Sequence, residues 1–114
     1  MRLYHNPSCS KSRAALAAVN ESSKEVEIFE YKIQPLNQES LQSMIGRYAG
    51  DKADLVRTGD KAFVDSDFSA GESMTADQVL EILIALPEVM QRPILDDGVN
   101  VRIGRPLENI TELL

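Results

Sequence analysis

His5-Asn6-Pro7-Ser8-Cys9-Ser10-Lys11-Ser12-Arg13 is the stretch on which the reading of the fold turns. Ahead of it, within Arg2 to His5, Leu3 and Tyr4 have strand character. Asn6-Pro7 then breaks the strand, because proline has no N–H for a ladder and asparagine tolerates turn geometry. Behind it, the alanine-rich run Ala14, Ala15, Ala17, Ala18, with Leu16 and Val19 on its apolar side, predicts a helix from Ser10 to about Asn20. Strand, break and helix together place Cys9, the chain's one cysteine, at a helix N-terminus.

Working outward, Lys24–Tyr31 reads as a second strand, with Val26, Ile28 and Glu30 alternating against Glu25, Glu27 and Phe29. Pro35 ends it. Asn37 is placed to cap a helix from Gln38 to about Tyr48, whose Leu41, Met44, Ile45 and Tyr48 fall at helical spacing. A short helix is expected around Leu55, Val56 and Arg57. The polar stretch Thr58–Ser73, with Gly59 and Gly71, is expected to be pinned by Phe63 and Phe68. Thr75-x-x-Gln78 is a capping-box pattern opening a helix that is apolar on several sides and so expected to be deeply buried. Asp97-Gly98 between two strand-like runs predicts a hairpin. A last helix is expected over Pro106–Leu114. The order is β-α-β, a helical segment, then α-β-β-α, which implies a mixed sheet with helices on its faces.

Bulk properties narrow the functions. With 114 residues, 43% hydrophobic and 26% charged, the chain suits one domain with a core that needs no staples. Its net charge of −6 argues against non-specific binding to nucleic acid or anionic membrane. Any anion site must therefore be built from a few converging arginines. No apolar run approaches the roughly 20 residues that span a bilayer, and the N-terminus lacks the apolar region of a signal peptide. One cysteine and one histidine are too few for a conventional zinc site, and one cysteine allows no internal disulfide. The expectation is a cytoplasmic monomer with no metal and no tightly bound cofactor.

Free cysteine has a pKa of about 8.5, so little of it is thiolate at neutral pH. At a helix start, unpaired N–H groups and the helix dipole favour the anion. Arg13, one turn on, can add charge at the same end, and a protonated His5 would do likewise. The alternative, a small buried hydrophobe, is the common fate of free cysteines, but Ser8 and Ser10 flank this one. A phosphatase loop would need arginine where Ala15 stands, and a dithiol motif would need cysteine where Ser12 stands. The resolving thiol must therefore come from another molecule. Arginines suit an oxyanion because they are permanently charged, planar and bidentate. Arg92 and Arg105 each precede a proline, which biases them to extended backbone. Taken singly, each arginine also fits a solvated surface charge.

The opening motif, together with Arg92-Pro93-Ile94 and Arg102-Ile103-Gly104-Arg105-Pro106, resembles the signature of the glutaredoxin-coupled arsenate reductase family, in order and along essentially the whole chain. The resemblance implies an α/β, thioredoxin-like fold: a mixed four-stranded sheet flanked by helices, in a single domain with a helical insertion at roughly residues 34–73. It implies that Cys9 attacks arsenate, that glutathione acts as co-substrate and leaves a mixed disulfide, and that glutaredoxin reduces it. Arg57, Arg92 and Arg105 map onto the family's oxyanion-holding arginines, and Ser12 and Arg13 are counted with them as substrate-binding. His5 maps onto the histidine that helps keep the cysteine ionised, and Pro93 onto the cis-proline beside the site. Two other functions remain open at this point. One is a glutathione-linked thiol/disulfide reductase without arsenate activity. The other is an Spx-like regulator binding RNA polymerase, although Ser12 removes the redox switch such regulators use.

Overall fold

The structure, a computed structural model, describes residues 1–69 and 74–114. In chain order its elements are β1 (Arg2–His5), α1 (Ser10–Glu21), β2 (Glu27–Glu30), α2 (Gln38–Arg47), α3 (Lys61–Val64), α4 (Ala76–Ala85), β3 (Ile94–Asp96), β4 (Val101–Ile103) and α5 (Glu108–Thr111). Two 3₁₀ turns, Lys52–Leu55 and Pro87–Val89, lie between them. The chain forms two compact units: Met1–Gln34 with Arg92–Leu114, and Pro35–Gln91.

The first unit holds the sheet, in the order β2-β1-β3-β4. The central strand β1 runs parallel to β2 and antiparallel to β3, and β3 runs antiparallel to β4. A parallel neighbour needs a crossover, and α1 supplies it. This is the mixed sheet that the element order implied, in the thioredoxin-like form that the family resemblance implied. β2 is shorter than the expected Lys24–Tyr31. It is paired only where β1 exists, from Arg2 opposite Glu27 to His5 opposite Glu30.

Register sorts side chains between the two faces of the sheet. Leu3 lies opposite both Ile28 and Leu95, and Leu95 opposite Arg102, so these share a face. There Leu3, Ala15, Val19, Leu95 and Ile110 form a buried cluster, which seats α1 and α5 on the sheet. Burying a leucine fully contributes about 1.5–3 kcal/mol. On the other face Tyr4 meets Phe29 edge to face at 5.7 Å, and the Arg2 guanidinium lies 4.4 Å from the Phe29 centroid while pairing with Glu27.

The Asp97-Gly98 turn closes the hairpin. Asp97 N–H donates to Asn100 O at 3.0 Å, and Gly98 takes φ +96°, a left-handed conformation that glycine adopts without a Cβ penalty. With Ile94 paired to Ile103, and Gly104 N–H donating to Pro93 O at 2.9 Å, Arg92 and Arg105 leave the hairpin at the same end. β1 is antiparallel to β3, so His5 and the loop to Cys9 emerge there too.

α5 covers less of the terminus than expected. Leu113 and Leu114 donate to carbonyls three residues back, so the chain tightens into turns there instead of continuing an α-helix.

In the second unit the capping signals are realised. Asn37 Oδ1 accepts from Ser40 N–H at 3.0 Å. Thr75 and Gln78 exchange both capping-box bonds, at 2.9 and 3.1 Å. α4 buries Val79, Ile82 and Leu83 but exposes Ile84, so one side of it is packed where burial on several sides was expected. Leu55 closes a 3₁₀ turn and Val56 bridges to Met90, so no α-helix carries Arg57. Phe63 is buried and Phe68 only partly so. The end of the polar stretch, residues 70–73 with Gly71, lies outside the described residues. Met44, Met74 and Met90 fill core positions.

Two glycines should respond oppositely to alanine. A Cβ on Gly104 would come 2.5 Å from Ile110 Cδ1 and 2.8 Å from Pro93 Cγ. Gly104→Ala should therefore destabilise by about 1–3 kcal/mol through overpacking. Gly46, inside α2, has open space around its Cβ position. Gly46→Ala should stabilise by about 0.5–1 kcal/mol. Urea unfolding midpoints of the two variants test the contrast.

Candidate active site

The site begins with a helix capped by sulfur. Cys9 is the N-cap of α1, in extended conformation (φ −99°, ψ 124°), and its side chain makes no capping hydrogen bond. Cys9 N–H is taken up by Asn6 O at 3.0 Å, and Arg13 N–H by Cys9 O at 2.9 Å. The amides between, in the first turn, have no partner inside the helix. Those of Lys11 and Ser12 act on the half-buried thiol.

Two arginines complete its surroundings. Arg105 Nη2 lies 3.7 Å from Cys9 Sγ, and Arg105 Nε donates to Arg92 O at 2.9 Å. The Arg92 guanidinium also acts on the sulfur, by hydrogen bonding and by charge. Partial burial pushes the Cys9 thiol up, but the Ser12 amide, Arg92 and the Lys11 amide together outweigh it, and the net direction is down. Contact geometry points to Arg105 and the charge effect to Arg92. The two are compatible, since Arg105 is held by the backbone of Arg92.

Behind the thiol lies a buried polar knot. Ser12 Oγ sits 2.7 Å from His5 Nδ1 and accepts from Asn6 N–H at 2.9 Å. Asn6 Oδ1 in turn accepts from Ser8 N–H at 3.0 Å. His5, Asn6 and Ser12 are all buried. Burial lowers the His5 pKa, with Arg13 assisting, against the Glu30 carboxylate and a hydrogen bond with Ser12. The sequence suggested a protonated His5 lending charge to the thiolate. The structure instead favours the neutral ring, bonded to a hydroxyl that fixes the first turn of α1.

The remaining expected residues are placed as follows. The Ser12 hydroxyl is enclosed, and the residue faces the sulfur through its amide. Arg13 is exposed and donates to Pro7 O at 3.0 Å, so it braces the loop and does not turn to the thiol as anticipated. Arg57 belongs to the second unit, where its N–H donates to Val89 O and its guanidinium pairs with Asp60 at 3.4 Å. Arg92–Pro93 is cis, and so is Arg105–Pro106, which no sequence feature had indicated. Asn6 carries only a turn signal in the sequence, yet it joins the loop to Ser12. Among the described residues no three His, Cys, Asp or Glu side chains converge as metal ligands, and no helix is long and apolar enough to cross a membrane.

The sheet, the crossover helix and one thiol among arginines define a thioredoxin-like protein built around a single activated cysteine. Residues 4–113 match the ArsC family, and the chain belongs to that family. It is similar to the arsenate reductase of Neisseria meningitidis, with 29% identity over 100% of this chain and 97% of that protein. Identity with the arsenate reductase of Escherichia coli K12 is 27%, over 98% of this chain and 79% of that protein. It is 29% identical to the uncharacterised YfgD of the same organism, over 100% and 96%. Among solved structures, a putative arsenate reductase from Yersinia pestis matches with TM-score 0.77 and 30% identity over 97% of each chain. An arsenate reductase from Vibrio cholerae shares the fold, with TM-score 0.84 at 24% identity over 100% of this chain and 98% of that one.

Two pH responses follow. The rate of Cys9 alkylation by iodoacetamide should stay level down through the ordinary thiol range and fall only below it. Arg92→Gln or Arg105→Gln should move that fall upward; an unshifted thiol would contradict the geometry. The depressed His5 pKa means that the folded chain holds fewer protons than the unfolded one near the ordinary imidazole value of about 6.5. Its contribution to stability is full above that value and is lost as pH falls through the depressed one. Urea melts between neutral and mildly acidic pH should show this loss, and His5→Gln should flatten it.

Proposed function

We propose that the protein reduces arsenate, with Cys9 as nucleophile and with electrons supplied by thiols. The observation that carries this reading is the Arg105 guanidinium 3.7 Å from the Cys9 sulfur, at the open first turn of α1. A helix N-terminus and a planar cation suit a tetrahedral oxyanion, and the same groups favour the thiolate that attacks it. Membership of the ArsC family adds support.

In the reaction the Cys9 thiolate attacks arsenic. A sulfur–arsenic bond forms, and one arsenate oxygen leaves, after protonation, as water. A glutathione thiolate next attacks the Cys9 sulfur. A disulfide forms, the sulfur–arsenic bond breaks, and its electron pair stays with arsenic, which departs as arsenite. The two sulfurs have supplied the two electrons. Glutaredoxin then takes up the glutathione by thiol–disulfide exchange and restores Cys9. Arg92 and Arg105 hold the oxyanion and its developing charge, and Arg57 is the third arginine of this reading on family resemblance. His5 acts through Ser12 on the helix start.

The test uses purified protein with arsenate, glutathione and glutaredoxin. Arsenate-dependent turnover is expected, Cys9→Ser should reduce it to background, and Arg105→Ala should lower kcat/KM by roughly 10²–10³-fold. Failure of the folded wild type to turn over arsenate, beside an active control enzyme, sinks the proposal. Uptake of glutathione by Cys9 from oxidised glutathione, without arsenate turnover, would mark a thiol/disulfide reductase instead.

A further inference from the structure

Arg105 owes its place to a loop, and that loop is tied down from two sides. On one side Gly104 N–H donates to Pro93 O at 2.9 Å. On the other, Asn109 Nδ2 donates to Ile103 O at 3.1 Å and to Arg105 O at 3.4 Å. These two carbonyls straddle Gly104. Ile103 ends β4, the edge strand of the sheet, whose outer side has no ladder partner.

We propose that Asn109 is a positioning residue for the Cys9 site: its carboxamide clamps the loop so that the Arg105 guanidinium stays on the sulfur. The proposal rests on the reading of Cys9 as nucleophile and Arg105 as its anion contact. Asn109 never touches the reacting atoms. It acts along a short covalent path, since the Arg105 carbonyl it binds belongs to the residue whose Nη2 faces Cys9 Sγ. One amide with two donors suits two carbonyls separated by a single residue, whereas a hydroxyl would reach only one. The platform under Asn109 is firm. Ile110 is fully buried against Gly104, and Arg102 donates to Asn109 O at 3.4 Å while pairing with Glu112. A loop left free on one side would let the guanidinium swing, and a displacement of about 1 Å can cost on the order of 10²-fold in rate.

The test is a double-mutant cycle read on the Cys9 thiolate, by its ultraviolet absorbance against pH. Asn109→Leu keeps the size and removes both donors. It should raise the thiolate midpoint by about half a pH unit or more, and raise the KM for arsenate roughly tenfold. In an Arg105→Gln background the same substitution should leave both readings unmoved, because the group it positions is gone. Glu112→Gln loosens α5 without touching the carboxamide, and should lower the urea midpoint while leaving the thiolate in place. An unmoved thiolate in folded Asn109→Leu overturns the proposal, as does an equal shift with and without Arg105. If the leucine variant does not fold, Asn109→Ser, whose donor is too short to bridge both carbonyls, gives the same comparison. The thiolate readout needs no arsenate, so an inactive wild type would count against the arsenate reading while the clamp is still decided.

Discussion

A helix whose first amides find no partner of their own must hand them to something negative, and in this chain the nearest candidate is the sulfur of its own N-cap. Cysteine is a poor cap as a neutral thiol and a better one as an anion. Helix and thiolate therefore depend on each other. The rest of the first unit serves that pairing. Leu3, Ala15, Val19 and Leu95 seat α1 on the sheet, Asn6 and Ser12 set the entry to its first turn, and the hairpin delivers two guanidinium groups to the same end.

The manner of delivery matters electrostatically. Arg2, Arg57 and Arg102 are each oriented by a carboxylate, which cancels much of the field they would project. Arg105 is oriented by a neutral carbonyl, that of Arg92. A chain with net charge −6 can thus hold a local positive patch, because among the described residues the cation at the sulfur is steered by a carbonyl and not by a carboxylate.

Much of this was legible in the sequence wherever the signal is local. Asn6-Pro7 before an alanine-rich run placed Cys9 at a helix start, and Asn37, Thr75 with Gln78, and Asp97-Gly98 announced two caps and a turn that the structure contains. What needed three dimensions was less legible. β2 is as long as its partner allows, which its own residues do not reveal. The lowered pKa of His5 follows from burial, whereas its single-sequence context suggested a protonated ring. Ser12 is instructive, because its spacing to Ala15 and Val19 puts it on the buried stripe of α1. Periodicity could have shown that its hydroxyl points inward, had its place in the cysteine motif not suggested an outward role. Arg13 fell to the same bias. Asn109 had no motif at all, and only the folded loop shows what it holds.

The central strand β1 takes one neighbour from just after α1 and the other from the far end of the chain. During synthesis on a ribosome, β1, α1 and β2 therefore emerge while the opposite edge of β1 still waits for β3. The two guanidinium groups come with that late segment. A nascent chain that ends before β3 carries Cys9 at the start of α1 without either guanidinium, and the full set of groups that lower the thiol's pKa is assembled only once the last strands have joined. The electrostatic surroundings of Cys9 are thereby completed by the last part of the unit to be made.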